Sequence, residues 1–149
     1  MELKYKKATI KDIPILLTIE NTVIGLKTYS TMLEESEWIE AISNGPVYLI
    51  EKDEKVVGDM SYEIKSADTA YISGLLILPE FQGQGIAKKA MKFMLNEIRK
   101  FKRIDLVTHP DNFKAIKLYE SLGFNIESRK ENHFGDGEPR VVMTLLQNI

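Results

Sequence analysis

Residues 75–87 read LLILPEFQGQGIA, an apolar segment followed by a glycine-containing turn and the start of a helical pattern. The first backbone N–H groups of such a helix have no internal partner, and the helix dipole is positive at this end. A diphosphate can take the place of the missing acceptors, and Gly83 and Gly85 allow it to approach the main chain closely. The segment therefore predicts an anion site between a strand and a helix.

Two common phosphate-binding motifs do not fit this turn. A Walker A loop ends in Gly-Lys-Ser/Thr, but Gly85 is followed by Ile86. A dinucleotide fingerprint needs a third glycine at the position that Lys88 occupies. Neither motif accounts for the segment.

Around this segment, the apolar pattern alternates between strand and helix spacing, without a linker or an internal repeat. The predicted element order is β-α-α-β-β-β-α-β-α-β-β. Ser73 and Gly74 lie inside the most apolar strand, where a glycine often marks a bulge, so we expect a bulge there. The predicted strands are residues 3–8, 47–51, 56–64, 70–78, 104–108, 124–130 and 140–146.

Capping signals indicate where the helices begin. The first helix is expected to start at Asp12, with Thr9 as the competing cap. Thr31 and Glu34 have capping-box spacing, which predicts the start of the second. The third helix is predicted over residues 83–100, and the fourth is expected to be capped by Asp111 or Asn112 and to end at Leu122.

Composition limits the possible chemistry. The chain has 149 residues, 44% of them hydrophobic, and no cysteine, which suits one domain over residues 1–149 without disulfides or a thiolate nucleophile. The formal net charge of -2 lacks the basic excess of a nucleic-acid binder, so no nucleic-acid partner is expected. His109 and His133 are the only histidines and lie far apart in sequence, so no metal is expected.

The sequence also predicts no membrane partner. Residues 1–7 are charged where a signal peptide would be apolar, and no apolar run approaches the roughly 20 residues that cross a bilayer. We therefore expect a cytoplasmic protein.

Residues 82–87, Gln-Gly-Gln-Gly-Ile-Ala, resemble the Gln/Arg-x-x-Gly-x-Gly/Ala signature of the GNAT superfamily of N-acetyltransferases. Asn112, Ala115, Tyr119 and the Leu-Gly-Phe of residues 122–124 resemble the second cofactor motif of that family. The resemblance implies an α/β (α+β) fold, the GNAT acyl-CoA N-acyltransferase fold. This fold has a central mixed, mostly antiparallel sheet of six to seven strands, about four helices, and splayed strands 4 and 5.

The resemblance further implies acetyl-CoA as the acetyl donor, with no metal. In the family, the backbone of the fourth strand pairs with the pantetheine arm, the glycine turn holds the diphosphate, and Asn112 matches a residue that contacts the arm. Lys88 or Lys89 is expected near the phosphates. The implied cofactor-binding residues are Leu75, Leu76, Ile77, Gln82, Gly83, Gln84, Gly85, Ile86, Ala87, Lys88, Asn112 and Tyr119.

By the same resemblance, an amine attacks the thioester directly in a ternary complex. Tyr119, with a reference pKa of about 10, is the implied general acid for the departing thiolate, whose thiol has a pKa of about 8.5. Many family members place a carboxylate base on the fourth strand, but residues 71–73 contain none. Glu63 is therefore ranked first as the base, ahead of Asp68 and Glu20.

The expected acceptor is a primary amine, on a small molecule or at a protein N-terminus. Its contacts are expected in residues 26–32 and 131–140, where Asp136 and Glu138 suit a cationic amine. The chain is expected to act as a monomer or a homodimer. Candidate acceptor-binding residues are Tyr29, Glu63, His133 and Phe134.

Simpler interpretations remain open. Glycines are common at strand-to-helix turns for steric reasons, and Tyr119 also falls in an apolar stripe with Ala115 and Ile116. The rival function is a non-catalytic acyl-CoA-binding sensor or partner domain that keeps the groove without turnover. The missing carboxylate of the fourth strand favours this rival.

Overall fold

The computed structural model describes residues 2–148. Within this range, seven strands form one sheet in the order β1-β2-β3-β4-β5-β7-β6. Neighbouring strands are antiparallel except β4 and β5, which run parallel. The mixed, mostly antiparallel sheet predicted from the sequence is confirmed. The strands are β1 (Leu3–Lys7), β2 (Val47–Lys52), β3 (Lys55–Ile64), β4 (Thr69–Ile77), β5 (Arg103–Thr108), β6 (Asn125–Lys130) and β7 (Arg140–Leu146).

Helices cover both faces of the sheet because successive strand residues point to opposite sides. On one face, Leu49 and Leu76 pack with Leu16 and Trp38 of the first two helices. On the other face, Ile50 and Ile77, the next residues along each strand, pack in a cluster that contains Met91 and Met94 of the third helix. The helices are α1 (Ile13–Asn21), α2 (Glu35–Asn44), α3 (Ile86–Glu97) and α4 (Phe113–Ser121).

The sheet opens between its parallel strands. β4 and β5 pair only from Thr69 to Ile72 and from Arg103 to Leu106, and beyond these residues the two strands separate. In the pairing of β3 with β4, Ser61 lies opposite Gly74 and Tyr62 opposite Ile72, which leaves Ser73 without a partner in the register. The bulge predicted at Ser73–Gly74 and the splayed strands 4 and 5 are therefore confirmed.

Several helix boundaries differ from the sequence prediction, and among them α3 ends at Glu97 and not at position 100. The capping box of α2 is formed by Glu34 and Glu37, not by Thr31 and Glu34, so the prediction at Thr31 was wrong. The third helix begins at Ile86 and not at position 83, because Gly85 adopts a left-handed conformation with φ of 82° as its N-cap. None of the helices within residues 2–148 is long and apolar enough to cross a membrane.

Candidate active site at the opening of the sheet

The opening between β4 and β5 leads to a surface groove and to a deeper cavity. The groove runs between the first turns of α3 and α4, and Gly83, Lys88 and Lys114 are among its lining residues. The cavity, which we call the acceptor-side cavity, lies towards α1 and is lined by residues that include Glu20, Asp59, Tyr71 and His109. Both spaces are lined by Tyr29, Leu75, Asn112 and Tyr119, so they meet at these four side chains.

One end of the groove has the properties of an anion site. Among the described residues, no carbonyl oxygen or side chain accepts a hydrogen bond from the six backbone N–H groups of residues 83–88. Gly83 and Gly85 have φ values of 80° and 82°, and a Cβ atom built at either glycine would meet no atom within 4 Å. The turn thus presents unpaired donors at the positive end of a twelve-residue helix, with open space before them.

The two glutamines of the turn hold it in place. The Gln82 side-chain amide donates to the carbonyl oxygen of Ile77 at 2.9 Å, which ties the turn to the end of β4. The Lys52 ammonium donates to the side-chain oxygen of Gln84 at 2.6 Å, which ties it to β2. Gln84 does not line the groove, whereas Gln82 does. These contacts indicate that both side chains position the loop amides.

α4 brings Asn112 and Tyr119 to the junction of the two spaces. Asn112 is the N-cap, and its side-chain oxygen accepts a long hydrogen bond, 3.4 Å, from the backbone N–H of Ala115. Tyr119 is 9% exposed, and burial, followed by the proximity of Tyr29, raises the pKa of its phenol to about 12. The hydroxyl therefore keeps its proton at neutral pH and can act as a donor towards the junction.

Sequence comparison decides the family. A sequence profile described as "Acetyltransferase (GNAT) family" matches residues 16–124. The chain belongs to the GNAT acetyltransferase family. This assignment confirms the resemblance inferred from the two cofactor motifs.

Individual relatives agree with the GNAT assignment. The ribosomal protein bS18-alanine N-acetyltransferase of Haemophilus ducreyi is 34% identical over 84 residues, which are 52% of this chain. The chain spans about 58% of the length of that relative. In the solved structure of the Escherichia coli ribosomal-protein-S18-alanine N-acetyltransferase, the same fold superposes with a TM-score of 0.83 at 19% identity, covering 99% of this chain and 96% of the other.

A GNAT structure from Elizabethkingia anophelis was solved with acetyl-CoA bound. It superposes with a TM-score of 0.77 at 17% identity and covers 97% of this chain and 98% of the other. Together with the E. coli structure, it confirms the predicted GNAT fold.

Most of the residues predicted to bind the cofactor lie together. Leu76 is an exception, because it lines the acceptor-side cavity and packs against α1 and α2. Gln84 is the other, because its side chain is bound to Lys52. The predicted residues that line the groove are Leu75, Ile77, Gln82, Gly83, Gly85, Ile86, Ala87, Lys88, Asn112 and Tyr119.

Only some of the predicted acceptor-binding residues lie in the wall of the acceptor-side cavity. Tyr29 lines both spaces, and Phe134 lines the acceptor-side cavity, where its ring lies 5.3 Å from the Arg140 guanidinium carbon. His133 is exposed and stacks edge-on against Phe134, but it is not part of the cavity wall. The structure thus brings Tyr29 and Phe134 to the site and leaves His133 at its outer edge.

The carboxylate ranked first as the base does not lie at the site. Glu63 is outside the cavity wall and forms a 2.8 Å ion pair with Lys65, two residues further along the chain. Asp68 is exposed and is also outside the wall. Glu20, ranked below Glu63, is the candidate that the structure places in the acceptor-side cavity. A catalytic role for Glu63 remains a prediction that its position does not support.

Sequence reasoning missed Asp59, which is 3% exposed and lies in the cavity wall. The signal was present, because Asp59 is a carboxylate inside the apolar segment Val56–Met60. A charged residue in such a strand is rarely fully buried without a partner. Its position in the predicted strand could have marked it as a functional candidate.

His109 and Arg140 were not predicted as site residues either, and both are already bound by other groups. His109 Nδ1 accepts from the backbone N–H of Asp111 at 3.0 Å, so the opposite ring nitrogen, Nε2, donates to Glu138 at 2.8 Å. The Arg140 guanidinium donates to Asp136 at 3.0 Å. Asp136 and Glu138, expected to receive a cationic acceptor, therefore hold cationic or donor groups of the chain itself.

Proposed function

We propose that this chain is an N-acetyltransferase that transfers the acetyl group of acetyl-CoA to a primary amine in a ternary complex. The observation that carries this proposal is the junction of the groove and the acceptor-side cavity at Tyr29, Leu75, Asn112 and Tyr119. Donor and acceptor can enter from opposite sides of the sheet and meet there. Membership of the GNAT family supports the same activity.

The groove suits coenzyme A in chemistry and in shape. The unpaired amides of residues 83–88 can bind the diphosphate, and Lys88 is among the residues of the groove wall. Beyond Ile72, β4 has no pairing with β5, so the backbone of Leu75–Ile77 is available to a pantetheine arm lying along the strand. In this arrangement the thioester lies near Asn112 and Tyr119.

The chemical step proposed is direct attack. The amine nitrogen bonds to the thioester carbon, and the backbone N–H groups of β4 stabilise the oxyanion that forms. The carbon–sulfur bond then breaks, and the Tyr119 hydroxyl donates to the departing thiolate. With a pKa of about 12, Tyr119 is protonated whenever the thiolate forms, although burial also makes it a weaker acid than an exposed tyrosine.

The acceptor is proposed to be a primary amine, on a small molecule or at a protein N-terminus. The relative from H. ducreyi, named for the alanine of ribosomal protein bS18, supports testing N-terminal alanine peptides. Polyamines and free amino acids represent the small-molecule class.

The test combines binding with turnover. Isothermal calorimetry with coenzyme A should show saturable binding, and thiol release from acetyl-CoA should depend on one class of amine in the panel. Gly85→Ala should weaken binding, whereas Glu40→Gln, an exposed change on α2, should not. Absence of coenzyme A binding contradicts the whole proposal. Tight binding without turnover on any amine favours the non-catalytic sensor.

A further inference from the structure

Two carboxyl groups lie in the wall of the acceptor-side cavity without a cationic partner. Glu20 of α1 is 7% exposed and Asp59 of β3 is 3% exposed. Asp59 Oδ2 is buried and has no hydrogen-bond partner among residues 2–148. Within the same described range, no lysine, arginine or histidine forms a salt bridge with either group.

The strand register places Asp59 next to the proposed reaction centre. Asp59 lies between Leu49 of β2 and Leu76 of β4 as their direct cross-strand neighbour. Directly opposite residues have Cα atoms about 4.5–5.5 Å apart and point to the same face. Asp59 is therefore one strand away from the β4 backbone that is proposed to bind the pantetheine arm. It lies on the α1–α2 face of the sheet, with Leu76.

The surroundings of the pair raise the pKa of both carboxyl groups. Burial raises the pKa of Glu20 to about 7, opposed by a backbone hydrogen bond from Met32 and assisted by the negative charge of Glu37 on α2. Burial and then the charge of Glu20 raise the pKa of Asp59 well above its usual range. The other residues of this cavity wall with ionisable side chains are Tyr29 from the α1–α2 connection, Tyr71 from β4, His109 after β5, Tyr119 from α4 and Arg140 from β7.

We propose that Glu20 and Asp59 form a proton-accepting pair for the acceptor amine. This inference rests on the function proposed above and names the base that was missing from it. The acceptor enters as an ammonium ion, and one N–H proton moves to a carboxylate oxygen of the pair. The neutral amine then attacks the thioester carbon. The thiolate leaves with a proton from Tyr119, and the nitrogen of the tetrahedral intermediate loses its second proton, which restores the Tyr119 hydroxyl. The pair returns its own proton to solvent.

A purely structural role explains the pair less well. Unpaired buried carboxyl groups destabilise a fold, and those kept for stability are usually hydrogen-bonded or ion-paired. An ammonium group in the cavity would give Asp59 Oδ2 the donor that it lacks. A general base also works best when its pKa is near the working pH, as at Glu20.

The test uses Asp59→Asn and Glu20→Gln with two acceptor amines that differ in pKa. With an amine that is protonated at pH 7, kcat/KM should fall by about 10²- to 10⁴-fold in Asp59→Asn. Glu20→Gln should shift the acidic limb of the pH profile of kcat/KM. With an amine whose pKa lies well below 7, which arrives neutral, both variants should remain within a few fold of the wild type. Glu40→Gln is the matched exposed control.

Each alternative outcome is decisive. If kcat/KM of the variants falls equally with both amines, the pair is not the base. The same holds if only KM rises and the pH profile is unchanged. Full activity of Asp59→Asn with a loss in Glu63→Gln overturns it in favour of Glu63. Unchanged coenzyme A affinity by calorimetry shows that the variants are folded. If the wild type turns over no amine, the proposed function fails and this inference falls with it.

Discussion

Replacing Glu20 by glutamine should stabilise the protein at pH 8 and leave its stability nearly unchanged at pH 4. The change removes a buried negative charge but keeps the length of the side chain. The glutamine oxygen can still accept the backbone hydrogen bond from Met32. The same variant is expected to shift the acidic limb of the pH profile of kcat/KM, because Glu20 belongs to the proposed proton-accepting pair.

The magnitude follows from the pKa of Glu20, which is about 7 in the folded protein against an ordinary value of 4.5. At roughly 1.4 kcal/mol per pKa unit, this difference corresponds to about 3 kcal/mol. Because the folded-state pKa is the higher one, the folded protein binds the proton more tightly. The free energy of unfolding therefore falls as the pH rises from 4.5 to about 7. Glutamine does not titrate, so its advantage grows over the same interval.

The assay is urea unfolding followed by circular dichroism at pH values from 4 to 8, for the wild type, Glu20→Gln and Glu40→Gln. The difference between Glu20→Gln and the wild type should increase by about 3 kcal/mol across this range. Glu40 is exposed on α2, so its variant should follow the pH dependence of the wild type. If the difference in unfolding free energy between Glu20→Gln and the wild type does not change with pH, the carboxyl group of Glu20 does not have a raised pKa in the folded protein. The same conclusion follows if the two variants show the same pH dependence.

Three further changes test the rest of the structure. Tyr119→Phe should lower kcat with little effect on coenzyme A affinity, and an unchanged rate contradicts its role as the donor. Gly85→Ala should cost about 1–2 kcal/mol in thermal unfolding, because φ is 82°, and should weaken coenzyme A binding in calorimetry. Gly58→Ala places a Cβ atom against the carbonyl oxygen of Leu76, so unfolding experiments should show a loss of about 1–3 kcal/mol or more. Wild-type stability of Gly58→Ala contradicts the close approach of β3 and β4.

The glycine turn before α3 could be predicted from the sequence because its conformation depends on neighbouring residues alone. Gly83 and Gly85 are needed for their backbone conformations, and the helix beginning at Ile86 supplies its amides within a few residues. The bulge at Ser73 was also predictable, because the glycine next to it interrupts an apolar strand. Local geometry of this kind does not depend on how distant segments pack.

The acidic pair could not be predicted in the same way. Glu20 and Asp59 belong to different elements, and their proximity depends on how α1 packs on the sheet. Glu63 was ranked first as a carboxylate on the third predicted strand. It lies on β3 beyond the bulge, where Lys65 is close enough to neutralise it. The capping error at Thr31 has a different, local cause, because Glu34 caps α2 with a residue type that is uncommon in that position.

The short pairing between β4 and β5 makes the sheet two half-sheets joined over a few residues, Thr69–Ile72 and Arg103–Leu106. A ligand lying along the free edge of β4 would act as an inserted strand and would bridge this seam. Amide hydrogen exchange along Ser73–Ile77 would then slow on saturation, while exchange at the distant edge strand β1 would change little. Binding of the cofactor would in this way couple the two halves of the sheet into one rigid unit.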